Sequence, residues 1–258
     1  MEYSTIETKF AHIHLAETDS TNSYARREAT RLAENNPEYE IFVITADNQT
    51  SGRGQRGAVW QSTAGENLLM TIVVRPTALA ISSYYALSVA SALALKDSMQ
   101  KFGISTTLKW PNDLYYNDCK LAGILLETDC EGANVTQAFI GIGLNVNQTH
   151  FEKMSRRPTS MALVCDKKFN VKEVMHAIVT SFIEKYTAIT RGNISELFEE
   201  YKKSLMGYST PLLYRDKNGE FTATVKGVER DGCIHLRCSN GELRSYYFKE
   251  VENVILGY

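Results

Sequence analysis

The chain shows no sign of a secretory route, a membrane span or a polyanionic partner. Its formal net charge is −2, so no global basic field is present to hold nucleic acid. No apolar run approaches the roughly 18 residues that a membrane-crossing helix needs. The opening MEYSTIETKF has no basic-then-apolar layout of a signal peptide. Cysteine is scarce: Cys119, Cys130, Cys165, Cys233 and Cys238 make an odd count with no C-x-x-C. That argues against a disulfide scaffold and against a paired redox or zinc motif. Scattered reduced thiols in a cytoplasmic protein are expected instead. His12 and His14 form an H-x-H without further ligands nearby, so no metal site is assigned there. Repeats and low-complexity stretches are absent.

What remains is an ordinary globular composition, 43% hydrophobic and 22% charged over 258 residues. This length supports a sizeable core in one large domain, or a large one with a small one behind it. HIHLAETDSTNSYARREATRLAENN reads as a strand, a polar turn and a helix, with Asp19 or Ser20 as N-cap. EIFVITADNQT and NLLMTIVVRP read as buried strands. ISSYYALSVASALALKDSMQKFG reads as a helix with Tyr85, Val89, Ala92, Leu93 and Met99 on one face, closed by Gly103. STTLKW, KLAGILLET and VTQAFIGIGLNVN follow as strands, the last two joined by a polar turn over Asp129 to Asn134. NVKEVMHAIVTSFIEKYTAI, capped by Asn170, and NISELFEEYKKSL are helical. After Met206 the texture changes to short β-rich runs punctuated by Asn218-Gly219, Asp231-Gly232 and Asn240-Gly241. Such pairs mark tight hairpins. The expectation is a mixed α/β unit over 1–206 and a small antiparallel barrel over 207–258.

Three clusters carry possible chemistry. The first is TSGRGQRGAVW, whose Gly52, Gly54 and Gly57 fit G-x-G-x-x-G. A dinucleotide turn needs a helix straight after that loop, to aim its N-terminus at the phosphates. Here a second glycine turn and a strand follow, so the Rossmann reading fails on context. Alone, the loop suits equally an anion-binding segment with Arg53 and Arg56 as forked donors, or a solvated basic hairpin tip. The second cluster is LKWPNDLYYNDCKLAGILLE, with Lys109, Asn112, Asp113 and Lys120 around the strand-breaking Pro111. The third is GIGLNVN, where strand alternation puts Gly141, Gly143, Asn145 and Asn147 on one side. Glycine twice on one face is poor core packing but a good floor for a flat ligand.

Together these segments resemble the biotin protein ligase family. DSTN (Asp19 to Asn22), DNQTSGRGQRG (Asp47 to Gly57), KWPND (Lys109 to Asp113), KLAGIL (Lys120 to Leu125) and GIGLNVN (Gly141 to Asn147) occur in family order. The resemblance implies an α+β catalytic domain related to class II aminoacyl-tRNA synthetases, its mixed or antiparallel sheet flanked by helices. A small barrel of the Src-homology-3 type is implied behind it. It also implies a two-step reaction. Biotin is activated by Mg·ATP as biotinyl-5′-AMP, then transferred to a lysine of a biotin carboxyl carrier protein or similar acceptor domain. Some family members carry an N-terminal DNA-binding domain; the first motif stands so early here that a ligase without DNA binding is expected. Homodimerisation through a sheet edge is possible for the family.

By resemblance, Ser20, Thr21, Asn22 and Gln49 serve biotin's ureido ring, with Gly123 and Gly143 as floor. Arg53, Gly54 and Gln55 line the same site, and Lys120 contacts the biotin carboxylate and α-phosphate. Arg53, Arg56, Trp60, Asn112 and Asn145 are assigned to ATP, with Trp60 on the adenine side. Asp113 positions the incoming lysine. The catalytic set is thus Arg53, Asp113 and Lys120, with no direct metal ligand assigned. Gln55 departs from the family pattern, where several members have a second arginine. Two other readings compete: a lipoate or octanoate ligase or transferase of the same superfamily, and a non-enzymatic ligand-binding or adaptor protein.

Overall fold

The computed structural model describes residues 10–76, 79–152 and 157–254. Seven strands form the main sheet among these residues: β1 (Phe10–Thr18), β2 (Ile41–Gln49), β3 (Leu68–Val74), β4 (Thr107–Lys109), β5 (Asp113–Tyr116), β6 (Cys119–Glu131) and β7 (Asn134–Leu144). Their order is β1-β2-β3-β7-β6-β5-β4. β1 runs parallel to β2, and every other pair is antiparallel. Five helices accompany them: α1 (Thr21–Asn35), α2 (Tyr85–Lys101), α3 (Met161–Cys165), α4 (Val171–Thr190) and α5 (Ile194–Ser204).

The two faces of the sheet are covered differently. On one, Val43, Met70, Ile72, Ile140 and Ile142 pack in a large core with α2 and α4. On the other, Phe42, Ile44, Val73 and Phe139 pack with Ala25, Ala29 and Leu32 of α1. Burying a side chain such as Phe139 stabilises the fold by about 1.5–3 kcal/mol. α1 spans only part of its face, and the uncovered part of that face becomes the candidate site.

Four sequence expectations change. α2 begins at Tyr85, because Ile81–Ser83 is a separate 3-10 turn. It is also buried nearly all round, including Ala86, Leu87, Ala90, Ala94 and Leu95. Its run of Ala, Ser and Leu has no polar face to turn outward, so it fits between the sheet and other helices. The turn between β6 and β7 is shorter than Asp129 to Asn134, since the strands pair as far as Glu131 and Asn134. Polar residues at an exposed ladder end still pair through the backbone, and Gly132, at φ +57°, makes the reversal. β5 and α3 have too few residues to show periodicity and were not anticipated. Asn170 does cap α4, its side-chain oxygen accepting the Lys172 and Glu173 N–H groups.

The C-terminal strands are β8 (Leu212–Asp216), β9 (Gly219–Val228), β10 (Ile234–Cys238), β11 (Leu243–Tyr246) and β12 (Val251–Asn253). All neighbours are antiparallel, in the order β11-β10-β9-β8-β12. The three Asx-Gly pairs fall at the β8–β9, β9–β10 and β10–β11 reversals, as their turn chemistry demands. The sheet rolls up: Tyr246 on β11 donates to Asp216 Oδ2 on β8 at 2.7 Å, although two strands separate them. Tyr214, Val225, Ile234 and Leu236 belong to the same apolar network as α2 and α4, so the module is joined to the main unit by a continuous core.

Candidate active site

The floor of the site is set by alternate residues on the α1 face of β7. Phe139 lies under α1, with the Arg26 guanidinium 4.6 Å from its ring centroid. Two residues on, a Cβ at Gly141 would stand 2.6 Å from Asn22 Oδ1. Two further on, a Cβ at Gly143 would stand 2.4 Å from Cε2 of the Trp60 ring. Both distances are too short for any side chain, so glycine here is demanded by close approach. Gly123 pairs with Gly143 across β6 and β7 and also faces the indole. Trp60 therefore rests on the two glycines assigned to the ureido pocket, rather than apart from them. The expected alternation stops at Leu144, where β7 ends. Asn145 still borders the cavity, but Asn147 exchanges hydrogen bonds with the backbone of Phe169 and takes no part in it. The rule that successive odd positions share a face lapses once the strand does.

The start of α1 forms one end of the cavity. Ser20 occupies the N-cap position, yet its side chain makes no cap bond. Gln49 supplies it instead: its Oε1 accepts the Thr21 N–H at 2.8 Å and the Thr21 hydroxyl at 3.1 Å. The parallel register pairs Thr18 with Gln49, which brings that amide to the first turn of α1. Asp19 is structural as well. It accepts the Ser20 N–H at 2.8 Å and takes a two-pronged contact from Arg27 at 2.7 and 2.9 Å. That hydrogen-bonded guanidinium holds the Asp19 carboxyl well below its ordinary pKa. Asn22 is fully engaged by the protein. Its Oδ1 lies 2.7 Å from Thr71 Oγ1, and its Nδ2 donates to Leu125 O at 3.2 Å and Glu127 Oε2 at 2.8 Å. Thr71 and Glu127 escaped the sequence reading. The signal for Thr71 was a lone hydroxyl within the apolar run LLMTIVV.

The KWPND segment builds the opposite bank. Trp110–Pro111 is cis. Pro111 O accepts the Tyr85 hydroxyl at 2.6 Å and lies 3.4 Å from the Tyr201 hydroxyl. Burial pushes both phenols well above their ordinary pKa, so they remain protonated donors. Trp110 Nε1 donates to Gly232 O at 3.0 Å, tying the bank to the β9–β10 turn. Asn112 Nδ2 donates to Ile124 O at 2.7 Å, and Asn145 Nδ2 to Thr159 O at 2.9 Å. Lys120 Nζ sits 2.7 Å from Asp113 Oδ1 and 5.6 Å from the Trp60 ring centroid. Lys109 is buried beside the Tyr115 ring.

The glycine-arginine loop closes the near side as strand-loop-strand, which agrees with the rejection of a dinucleotide turn. Trp60 N–H donates to Gly52 O at 3.0 Å, and Gln55–Gly57 forms a 3-10 turn. Arg53 pairs with Glu127 on β6. Gln55 Oε1 and Trp60 Nε1 are buried with no protein partner. The Arg56 side chain lies outside what the structure describes. Loop, glycine floor, KWPND bank and β8–β12 sheet enclose a cavity of 1310 Å³. Small-ligand pockets occupy about 300–1,000 Å³, so two substrates can fit side by side. Among the described residues no cluster of three His, Cys, Asp or Glu could hold a metal ion. His12 and His14 both approach the Thr45 hydroxyl, at 2.8 and 3.1 Å.

Similarity to known proteins agrees with this geometry. Residues 16–145 match the model of the biotin/lipoate A/B protein ligase family. The bifunctional ligase/repressor BirA of Bacillus subtilis is 30% identical over 254 residues, covering 96% of this chain and 76% of that protein. The biotin–[acetyl-CoA-carboxylase] ligase of Paracoccus denitrificans is 28% identical over 233 residues, covering 86% and 92%. In structure, the biotin protein ligase of Aquifex aeolicus, solved with biotin and ATP, superposes with a TM-score of 0.74. It is 22% identical, and the match covers 95% of this chain and 98% of that one.

Proposed function

Since this chain belongs to the biotin/lipoate A/B protein ligase family, we propose that its cavity carries out the biotin protein ligase reaction, with the roles given below. Biotin's carboxylate oxygen bonds to the α-phosphorus of ATP as the bond to the bridging oxygen breaks. Biotinyl-5′-AMP and pyrophosphate result. A neutral lysine amine of an acceptor domain then attacks the acyl carbon, and AMP leaves. The observation that carries the residue assignment is one arrangement: a glycine floor under Trp60, beside the Lys120–Asp113 pair and beneath a loop bearing Arg53.

The first step joins two anions, so neutralising charge and aligning the groups matter more than moving protons. Lys120 stands at the edge of the glycine floor, where its ammonium can meet a carboxylate and a phosphate. The buried Asp113 holds that ammonium in place, and its carboxylate is also suited to orienting the incoming lysine. Arg53 brings a second cation from the loop. Gln55 Oε1 and Trp60 Nε1, buried without protein partners, are an acceptor and a donor free for ligand. Ser20, Thr21 and Gln49 at the start of α1 present the polar edge expected to meet the ureido ring. Asn22 supports that edge from beneath.

Magnesium would be held as the partner of the triphosphate. Asn112 and Asn145 donate their amide N–H groups to backbone carbonyls, which leaves two Oδ1 atoms as the hard oxygen ligands this ion prefers. When bound it would neutralise phosphate charge. The division into a catalytic unit (1–206) and a small β module (207–258) belongs to the same reading. So does a cytoplasmic setting, supported by five free cysteines. No helix among the described residues is long and apolar enough to cross a membrane.

The test is incubation with biotin, Mg·ATP and a biotin-acceptor domain, followed by intact mass. The biotin increment should appear on the acceptor. ATP–pyrophosphate exchange with biotin but not lipoate separates this reading from a lipoate ligase. No exchange with either would leave a binding protein.

A further inference from the structure

The loop cation Arg53 is held by the last residue of the LKWPNDLYYNDCKLAGILLE segment, Glu127, to which the family resemblance gave no role. β6 presents Gly123, Leu125 and Glu127 at alternate positions, paired with Gly143, Gly141 and Phe139 of β7. The first two line the cavity, and Glu127 lines an adjoining hollow under the glycine-arginine loop, which shares Arg53, Gly54 and Leu125 with it. Its Oε2 meets Arg53 Nη2 from the loop and, at 2.8 Å, Asn22 Nδ2 from α1. One carboxylate oxygen on a rigid strand thus joins the two segments that border the bound acid. Glu127 is only partly exposed, at 25% of its side chain, which screens the contact less than full solvent would.

This matters because Gln55 brings no charge. With a neutral residue there, Arg53 is the cation that the loop's described side chains bring to the cavity. A guanidinium has five donors in a planar fork. One directed at Glu127 leaves others for a second acceptor, so anchoring does not exhaust it. The loop's backbone hydrogen bonds among the described residues run within itself or to the β1–α1 corner: Gly54 N–H bonds Ala58 O, Trp60 N–H bonds Gly52 O, and Ser51 N–H bonds Asp19 O. Among the described residues, the Arg53–Glu127 pair is the side-chain hydrogen bond that fixes the loop to the sheet.

We propose that Glu127 is a positioning residue that fixes Arg53 across the site and thereby sets how long the acyl-adenylate is retained. This rests on the ligase reading above. Glu127 touches neither reacting group; it acts through Arg53, and Asn22 shares its oxygen. Glu127→Gln is the informative change, since it keeps an acceptor for Asn22 while removing the charge that holds Arg53.

The experiment forms biotinyl-5′-AMP on the wild-type protein, then follows its release by rapid filtration in wild type, Glu127→Gln, Arg53→Ala and the double variant. Release should quicken about tenfold in Glu127→Gln, on the scale of one charge-assisted hydrogen bond. The double variant should release no faster than Arg53→Ala alone, because both changes remove one device. Thermal unfolding should be nearly unaltered in Glu127→Gln, which separates positioning from a folding defect. Release within twofold of wild type, slower release, or effects that multiply in the double variant would each overturn the proposal. Failure of wild type to form any adenylate would instead reject the ligase reading itself.

Discussion

The two banks of the cavity are built on different terms. The KWPND bank is braced from three directions: Tyr85 and Tyr201 hold Pro111 O, Asn112 is bonded to β6, and Trp110 is bonded to the β9–β10 turn. Among the described residues the glycine-arginine bank has one side-chain hydrogen bond to the sheet, Arg53–Glu127, and it keeps two buried polar atoms without protein partners. A braced bank can hold reacting groups in line, which is where alignment lowers a barrier. A lightly tied bank can part to admit substrate and re-form around it. The contrast assigns chemistry to one side and retention to the other.

That division can be broken, beginning with the largest effect. Lys120→Gln keeps a donor for Asp113 but removes the cation beside the floor. Adenylate formation, read by ATP–pyrophosphate exchange, should fall about 10²–10³-fold, the usual loss of one preorganised electrostatic contact. An intact rate would mean that the braced bank does not carry the chemistry. Tyr85→Phe should strike stability first, because Pro111 O keeps only the longer Tyr201 contact. We expect a loss of about 1–2 kcal/mol in chemical denaturation, with slower adenylate formation as Asn112 and Asp113 lose their support. Arg53→Ala should do the reverse. Stability should change by less than about 0.5 kcal/mol, as for most exposed sites, while biotinyl-5′-AMP escapes faster. If Tyr85→Phe altered only retention, or Arg53→Ala only stability, the contrast between the banks would be wrong.

The smallest effect lies at the corner between them. Arg27 holds the Asp19 carboxyl below its ordinary value of 3.8 in the folded chain. A depressed folded value stabilises fully above the unfolded pKa and is lost as pH falls through the folded one. The stability gap between wild type and Asp19→Asn should therefore be widest near neutral pH and shrink below about pH 4. The pair is largely exposed, so the gap should stay under about 1 kcal/mol. A gap that grew on acidification would reverse the sign and discard the ion pair as its cause.

Much of this was legible in advance, for identifiable reasons. The strands β2, β3, β6 and β7 are long apolar runs whose backbone choice is local, and the three Asx-Gly pairs carry their own turn chemistry. Strand parity already put Gly141 and Gly143 on one face. Parity failed at Asn147, because the strand had ended three residues earlier at Leu144. At α1 the N-cap position, Ser20, was legible, but not the group that supplies the cap bond. Asp19 and Ser20 have suitable side chains at the right place, but Gln49 lies next to Thr18 in the sheet and reaches the helix first.

Taken alone, the order of residues determined which segments carry chemistry: glycines without side chains, a cation on either side, and a loop whose context excludes a dinucleotide turn. These follow from residue type and short-range spacing, which a linear chain contains in full. Contacts between distant segments are a different matter. That Trp60 lies on Gly143, that Glu127 holds Arg53 across 74 positions, and that Trp110 leans on Gly232 across 122 depend on how the sheet and the rolled β module come together. Each partner alone is an ordinary tryptophan, glutamate or glycine, and only the folded packing distinguishes it from the others of its kind.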